Sequence, residues 1–223
     1  MILVPVKHLE TSKQRLSPFL SPSERFALAE AMLQDVLAAV DVCHQRDHVV
    51  LVSGDRRAQR LAQQYEFRII HDPDDPGETG AIEMATRAAI ERGAEFVLVL
   101  PADIPLTTAA EIEQIFLAAP CEGTVLAPSA SGRGTNAALQ RPPGLFPLRF
   151  GNDSFLPHLA AARATGKPVE VLTLSGIGVD IDEPADLADL LAAPGETRAQ
   201  RLLHEWRISE RLAATRLSEE RAS

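Results

Sequence analysis

Three aspartates lie at or near the ends of predicted extended segments. Asp103 follows a continuous apolar run, residues 96–100, and Asp180 and Asp182 lie within and just after a second extended segment, residues 178–181. A carboxylate beside a buried strand is costly unless it is paired or binds a cation, and Mg²⁺ prefers one or two carboxylates together with phosphate oxygens. The pattern predicts a site for Mg²⁺, or Mn²⁺, centred on Asp103.

Aspartate is also common in turns and at helix N-caps, so a structural role is the alternative for each of these residues. Asp180 and Asp182 project to the same side if they share a strand. One of them then completes the metal site with Asp103. The other, most simply Asp182, caps the next helix, and the sequence does not separate these two roles.

A basic loop follows the first predicted strand, residues 2–6. It carries Lys7, Lys13 and Arg15, and such cations beside exposed backbone N–H groups neutralise a triphosphate. An ordinary solvated loop is the alternative. The position favours nucleotide binding, because ligands of open parallel sheets lie at the carboxyl ends of the strands.

Two glycine-containing segments lie between these motifs, GRGTN at 132–136 and RFGNDS at 149–154. Glycine lets backbone N–H groups approach an anion closely, and the helix predicted to open at Asp153 or Ser154 attracts phosphate at its N-terminus. A surface hairpin followed by a helix start is the alternative. Together the two segments favour a small phosphorylated acid as a second substrate.

The composition narrows the choice of partner. A formal charge of −9 argues against a broad nucleic-acid surface, which needs a basic field. The chain has no apolar run long enough to span a bilayer and no signal-peptide pattern, so we expect no membrane contact and a cytoplasmic protein. Cys43 and Cys121 lack metal-ligand spacing, and a disulfide is not expected.

Short apolar runs alternate with helical patterns, which predicts a three-layer α/β/α fold with a mostly parallel, Rossmann-like sheet and a small antiparallel excursion. The predicted strands are residues 2–6, 48–52, 67–70, 96–100, 124–127, 169–174 and 178–181. The predicted helices are 22–42, one ending at 65, 82–92, 184–191 and 197–220. A hinge at 193–195 divides a nucleotidyltransferase domain, residues 1–192, from a C-terminal helical tail, residues 193–223.

Five motifs, in this order and spacing, resemble the CofC guanylyltransferases: VPVKHLETSKQRLSP, LPADIPL, GRGTNAAL, RFGNDSF and VDIDEPADL. They extend from residue 4 to about residue 190. The resemblance implies the GT-A-like fold of sugar and cofactor nucleotidyltransferases. It also implies transfer of GMP from GTP to a three-carbon phospho-acid, with release of pyrophosphate, in assembly of coenzyme F-420.

The resemblance also assigns residues. Asp103 corresponds to the family's metal-binding aspartate, and Asp180 or Asp182 to the second. Gly151 and Ser154 correspond to positions that hold the acid's phosphate. The third such position falls on Thr135 or Asn136, and counting back from Gly151 favours Asn136. The expected GTP contacts are Pro5, Val6, Lys7, Lys13, Arg15, Ser53, Gly80, Glu83, Pro101 and Ala102, of which Lys13 and Arg15 act with Asp103 in catalysis.

One segment departs from the family pattern. Where the family commonly has Gly-Leu-Asn near the nucleotide, this chain has Ala81-Ile82-Glu83. An ionised glutamate only accepts hydrogen bonds, which still suits the N–H groups of guanine. Family members use 2-phospho-L-lactate, phosphoenolpyruvate or 3-phospho-D-glycerate. The altered segment and Asn136 make 3-phospho-D-glycerate a candidate.

Other functions are also compatible with these motifs. A cytidylyl- or guanylyltransferase acting on another acceptor and a non-catalytic nucleotide-binding protein are the main alternatives, and a glycosyltransferase using Asp180-Ile181-Asp182 is a third. The tail helix packs either on its own domain or on a second copy of the chain, so a homodimer is also open.

Overall fold

The computed structural model describes residues 1–72, 77–151 and 153–214. Its seven strands are β1 Ile2–Pro5, β2 Val49–Ser53, β3 Arg68–His71, β4 Val97–Val99, β5 Gly123–Pro128, β6 Thr135–Arg141 and β7 Val169–Val171. They form one sheet in the order β3-β2-β1-β4-β6-β5-β7. β6 is antiparallel to both of its neighbours, and the other pairings are parallel. The predicted mostly parallel sheet with an antiparallel excursion is confirmed.

Helices cover both faces of the sheet. The described helices are α1 Pro22–Asp41, α2 Arg56–Gln64, α3 Gly77–Glu91, α4 Ala109–Ala118, α5 Phe155–Ala164, α6 Pro184–Ala192 and α7 Arg198–Glu205. Of these, α6 and α7 pack against α1 rather than on the sheet. One apolar cluster joins α1, α2 and α4 to the sheet, and another joins α3 and α5 to it. The three-layer arrangement follows, because the central strands bury side chains on both faces.

The first helix shows how local sequence sets an element. Ser21 accepts a hydrogen bond from the Glu24 amide, the Glu24 carboxylate accepts one from the Ser21 amide, and Pro22 occupies the first turn. This capping box supplies partners for two backbone N–H groups that a helix start leaves unpaired. The start predicted at residue 22 is confirmed.

The central antiparallel strand was not predicted. β6 is fully buried from Thr135 to Gln140 and pairs with β4 on one side and β5 on the other. Glycines precede it and prolines follow it, so the local signal is that of a loop. Its burial between two neighbours, rather than its sequence pattern, establishes it as a strand.

The late strands were predicted too long. The strand expected over 169–174 ends at Val171, and residues 178–181 form no strand. Single hydrogen bonds hold this segment instead: the Ala130 amide donates to the Gly178 carbonyl, and the Ile181 amide donates to the Asp103 carbonyl. The segment therefore lies against the residues after β4 and β5 without extending the sheet.

The first part of the predicted tail contributes to the core. Ala199, Leu203 and Ile208 are fully buried in a cluster shared with α1 and α6. Asp35 of α1 accepts hydrogen bonds from the backbone amides of Arg198 and Ala199 at the start of α7. The single helix predicted over 197–220 is interrupted after Glu205, and residues 208–214 are helical again.

The rest of that predicted helix, residues 215–220, lies outside the described residues. None of the described helices is both long and apolar enough to cross a membrane.

Candidate nucleotide and phospho-acid cleft

Lys13 joins two aspartates that are distant in sequence. Its Nζ lies 2.7 Å from Asp103 Oδ2 and 2.9 Å from Asp182 Oδ1. Lys13 adopts the left-handed region at φ 55° before a short 3-10 turn, Gln14–Leu16, and its side chain is 8% exposed. Asp182 therefore pairs with Lys13 and does not cap α6, whose N-cap is Glu183. The suggestion that Asp182 is the helix cap is wrong.

Asp180 is held separately from Asp182. The Asn136 side-chain amide donates one hydrogen bond to Asp180 Oδ1, at 3.0 Å, and another to the Ile177 carbonyl, at 2.9 Å. These two bonds use both N–H groups of the amide. Asn136 is therefore engaged in fixing Asp180.

The ionisable groups respond to this crowding. Burial alone would lower the pKa of Lys13, but the charges of Asp103 and Asp182 hold it above its usual value. Burial raises the pKa of Asp180, and the charge of Asp103 raises it further. The same two causes raise the pKa of Glu78, whose carboxylate lies 3.6 Å from the Lys7 ammonium. The site therefore carries negative charge that its own lysines do not fully compensate.

Two adjoining cavities meet at these residues. We call the first, of about 580 Å³, the β1-side cavity; its walls include the loop after β1, the start of α3 and the residues after β4. The second, of about 510 Å³, is the β6-side cavity, whose walls include the start of β6 and the residues after β5 and β7. Both are lined by Arg15, Glu78, Pro101, Asp103, Gly151 and Asp182. They form one cleft with Asp103 at the junction.

The antiparallel direction of β6 explains this meeting. Val99 of β4 pairs with Ala138 of β6, and Val97 pairs with Gln140. The first residues of β6, Thr135 and Asn136, therefore lie at the edge of the sheet where β4 ends and Asp103 follows. Parallel strands alone would bring only their carboxyl ends to this edge.

Most of the predicted residues line the cleft. The β1-side cavity brings together Pro5, Val6, Lys7, Lys13, Arg15, Pro101, Ala102, Asp103, Gly151 and Asp182. The β6-side cavity brings together Arg15, Pro101, Asp103, Thr135, Asn136, Gly151, Asp180 and Asp182.

Four predicted residues do not line either cavity: Ser53, Gly80, Glu83 and Ser154. Ser53 is buried, and its hydroxyl donates to the Val6 carbonyl. Helix α3 begins at Gly77 rather than at residue 82, so its periodicity buries Ala81 and Ile82 and exposes Glu83. Ser154 lies behind the wall, where its Oγ accepts a hydrogen bond from the Thr135 amide at 3.0 Å.

The two glycine-containing loops are tied to one another. Arg133 pairs with Asp153 through two hydrogen bonds, of 2.6 Å and 3.1 Å, and the Phe155 amide donates to the Arg133 carbonyl. Gly151 has φ +137°, a backbone conformation that residues other than glycine rarely adopt. These contacts link the two loops where they line the β6-side cavity.

The carboxylates suit a metal ion that is completed by substrate. Within the described residues, no three His, Cys, Asp or Glu side chains form a coordination cluster of their own. Mg²⁺ does not require one, because it is commonly bound by one or two carboxylates plus substrate phosphates. The uncompensated negative charge around Asp103 and Asp180 favours such a cation.

Sequence reasoning missed several polar residues near the cleft, among them Glu78, Asp72 and His158. Glu78 and Asp72 line the β1-side cavity, and His158 lies behind the β6-side cavity. Glu78 lies within the GETG segment just before residues 81–83. Asp72 directly follows β3, so the rule that ligands lie at the carboxyl ends of strands could have found it. His158 follows RFGNDSF on α5, and no sequence signal distinguishes it from an ordinary core histidine.

The fold of this chain is one that known nucleotidyltransferases adopt. The structure resembles a protein assigned as a nucleotide-diphospho-sugar transferase from Desulfovibrio desulfuricans G20, with a TM-score of 0.75 and 19% identity over 94% of this chain and 96% of that one. It also resembles a CMP:2-keto-3-deoxy-manno-octonic acid synthetase complexed with CTP, with a TM-score of 0.57 and 13% identity over 86% and 96% of the two chains.

Sequence similarity identifies the family. Residues 1–222 match the model described as guanylyl transferase CofC like, so the chain belongs to the CofC guanylyltransferase family. It is 39% identical to a phosphoenolpyruvate guanylyltransferase of Sphaerobacter thermophilus, over 84% of this chain and 90% of that protein.

Two further relatives are named for other acids. Identity is 33% to a 2-phospho-L-lactate guanylyltransferase of Methanothermobacter thermautotrophicus, with 93% and 91% coverage. It is 31% to a 3-phospho-D-glycerate guanylyltransferase of Colwellia psychrerythraea, with 86% and 90% coverage.

Proposed function

We propose that this protein transfers GMP from GTP to a three-carbon phospho-acid and releases pyrophosphate, as a step in coenzyme F-420 assembly. The observation that carries the proposal is the cleft itself. A cavity lined by Lys7, Lys13 and Arg15 joins a cavity lined by Thr135 and Gly151, and Asp103 lies between them. Such a cleft can place two phosphorylated substrates end to end across one carboxylate.

GTP occupies the β1-side cavity in this proposal. Its triphosphate lies along the loop after β1, where Lys7, Lys13 and Arg15 provide positive charge, and its base lies towards Pro5 and Val6. Arg15 also lines the β6-side cavity, so its guanidinium lies where the two substrates meet. Lys13 Nζ lies 2.7 Å from Asp103 Oδ2, at the junction of the two cavities. When GTP binds, Lys13 exchanges one carboxylate partner for a phosphate oxygen.

The acid occupies the β6-side cavity with its phosphate towards Asp103. Of the two residues that the resemblance left open, Thr135 is the better phosphate donor, because both N–H groups of Asn136 are engaged by Ile177 and Asp180. Gly151 lines the same wall, and Ser154 supports it through the Thr135 amide.

The structure weakens the suggestion of 3-phospho-D-glycerate. That suggestion depended on Glu83 and Asn136. Glu83 lies on the exposed side of α3, and the Asn136 amide is engaged in holding Asp180. The three acids are therefore distinguished by assaying each of them.

Asp103, with Asp180 or Asp182, is the set that would hold Mg²⁺ or Mn²⁺. When bound, such an ion neutralises phosphate charge and polarises the α-phosphate. The fit follows from the placement of the donors, because all three aspartates line the β6-side cavity and carboxylate oxygens are ligands that Mg²⁺ prefers.

In the proposed reaction, an oxygen of the acid's phosphate forms a bond to the α-phosphorus of GTP. The bond from that phosphorus to the bridging oxygen breaks, and pyrophosphate leaves with the electron pair. The attacking oxygen is already anionic and needs no general base. The chain's contribution is alignment and charge neutralisation, with Lys13 and Arg15 placed to stabilise the pyrophosphate.

The test incubates the protein with Mg²⁺, one nucleotide and one acid, and follows pyrophosphate release and product mass. The panel crosses GTP, ATP, CTP and UTP with the three acids. We expect turnover with GTP and at least one acid, and a loss of about 10²-fold or more for Asp103→Asn. Asp47→Asn, at the opposite end of β2, is the matched control. Near-normal turnover by Asp103→Asn, or no turnover of GTP with any acid, contradicts the proposal.

A further inference from the structure

A buried histidine lies directly behind the β6-side cavity. His158 of α5 is 3% exposed, and its Nδ1 lies 2.9 Å from the Thr135 hydroxyl oxygen. Its other ring nitrogen, Nε2, accepts a hydrogen bond from the Arg149 amide at 2.8 Å. The ring lies edge-on to Phe150, with centroids 5.4 Å apart. Both ring nitrogens are therefore hydrogen-bonded, and the ring packs against Phe150.

These contacts determine which nitrogen carries the proton. A backbone N–H can only donate, so Nε2 must be the unprotonated nitrogen of a neutral ring. The single ring proton is then on Nδ1 and is donated to the Thr135 hydroxyl. Burial agrees with a neutral ring, because it lowers the pKa of His158 to about 4.

The direction of this bond determines the role of Thr135. Its hydroxyl oxygen accepts from His158, so the hydroxyl's own proton is left to donate. Among the described residues, no carbonyl, carboxylate or hydroxyl accepts a hydrogen bond from that hydroxyl. Thr135 lines the β6-side cavity, where Ser129 and Ser131 are the other hydroxyl side chains and are hydrogen-bonded to each other.

Ser154 fixes the same residue from the backbone. The Thr135 amide donates to Ser154 Oγ at 3.0 Å, and the next turn of α5 brings His158 to the hydroxyl. One helix thus orients both the main chain and the side chain of Thr135.

We propose that His158 is a positioning residue for the acid's phosphate, holding Thr135 as an obligatory hydrogen-bond donor to an anion in the β6-side cavity. This inference rests on the proposed function, because it assumes that the phospho-acid occupies that cavity. His158 does not line the cavity and touches no reacting atom, so it acts only through Thr135.

The test compares four variants: His158→Phe, His158→Asn, Thr135→Val and the double variant His158→Phe/Thr135→Val. Asparagine retains an N–H near the position of Nδ1, whereas phenylalanine has a ring and no donor. We expect His158→Phe to raise the KM for the acid about 10-fold, with the KM for GTP unchanged and His158→Asn close to wild type. Thr135→Val should raise the acid KM as much, and the double variant should add little.

Several outcomes overturn the proposal. An acid KM unchanged in His158→Phe does so, as does an equal rise in the KM for GTP. Fully additive effects in the double variant do the same, since they show that the two residues act independently. If His158→Phe does not fold, His158→Gln replaces it: its amide lies near Nε2 instead of Nδ1, so we expect the acid KM to rise there and not in His158→Asn.

Failure of the proposed function looks different. In that case the wild-type protein turns over none of the acids. A wild type that is active, combined with variants that leave the acid KM unchanged, contradicts only the role of His158.

Discussion

Replacing Lys13 by Met removes the cation between Asp103 and Asp182. The methionine keeps the side-chain stem and the left-handed backbone, so the main loss is the ammonium charge with its contacts of 2.7 Å and 2.9 Å. Removing one partner of a fully buried ion pair costs about 3–5 kcal/mol. The aspartate side chains are 30% and 43% exposed and keep some water, which reduces the expected loss. We therefore expect about 1–2 kcal/mol, or about 2–8 °C in Tm for a chain of this size.

The assay is urea and thermal unfolding at pH 7 without nucleotide, alongside the guanylyltransferase assay. Lys7→Met is the matched control, because Lys7 is 57% exposed and its ion pair with Glu78 is longer, at 3.6 Å. The double variant Lys13→Met/Asp182→Asn should recover part of the lost stability, since it removes one of the carboxylates left unpaired. Lys13→Met and Lys7→Met proteins of equal stability, within about 0.5 kcal/mol, would refute the reasoning.

Three further outcomes are expected. The wild type should lose up to about 3 kcal/mol as pH falls from about 6.5 to 4, because unfolding lets His158, whose folded pKa is about 4, take up a proton; a stability–pH profile of His158→Asn should be flatter. Arg133→Ala should leave Tm within about 1 °C but raise the acid KM about threefold to fivefold, since its exposed pair with Asp153 ties the two loops; Lys167→Ala, from another exposed pair, is the kinetic control. Asp35→Ala should lower the free energy of unfolding in urea by about 1–2 kcal/mol and leave the KM values unchanged, because the Arg198 and Ala199 amides at the start of α7 lose their carboxylate acceptor.

Local signals predicted the elements that depend on neighbouring residues. The Ser21–Glu24 capping box marks the start of α1, and the apolar run before Asp103 marks β4. In both cases the signal lies within a short run of residues, although β4 itself pairs with the distant strands β1 and β6. The same kind of signal failed for β6, whose partners are β4 and β5, and for residues 178–181, which are held by contacts with distant carbonyls and amides.

The residues of the site show the same contrast between what the local sequence predicts and what distant contacts decide. The sequence placed Lys13, Asp103 and Asp182 near the ends of extended segments, and the cleft brings all three together. It did not show that Lys13 bridges two carboxylates 90 and 169 residues away. The position of Glu83 was misjudged because a helix start five residues earlier turns it to the outside.

By itself, the sequence determined the mostly parallel sheet, the family and the chemical types available at the cleft, because these depend on periodicity and on which residues are present. Only the tertiary structure decided their partners. The antiparallel β6 brings Thr135 and Asn136 to the edge where Asp103 lies, and α5 places His158 against Thr135. Hydrogen-bond direction and charge compensation depend on distances between atoms remote in the chain, and no local pattern encodes those distances.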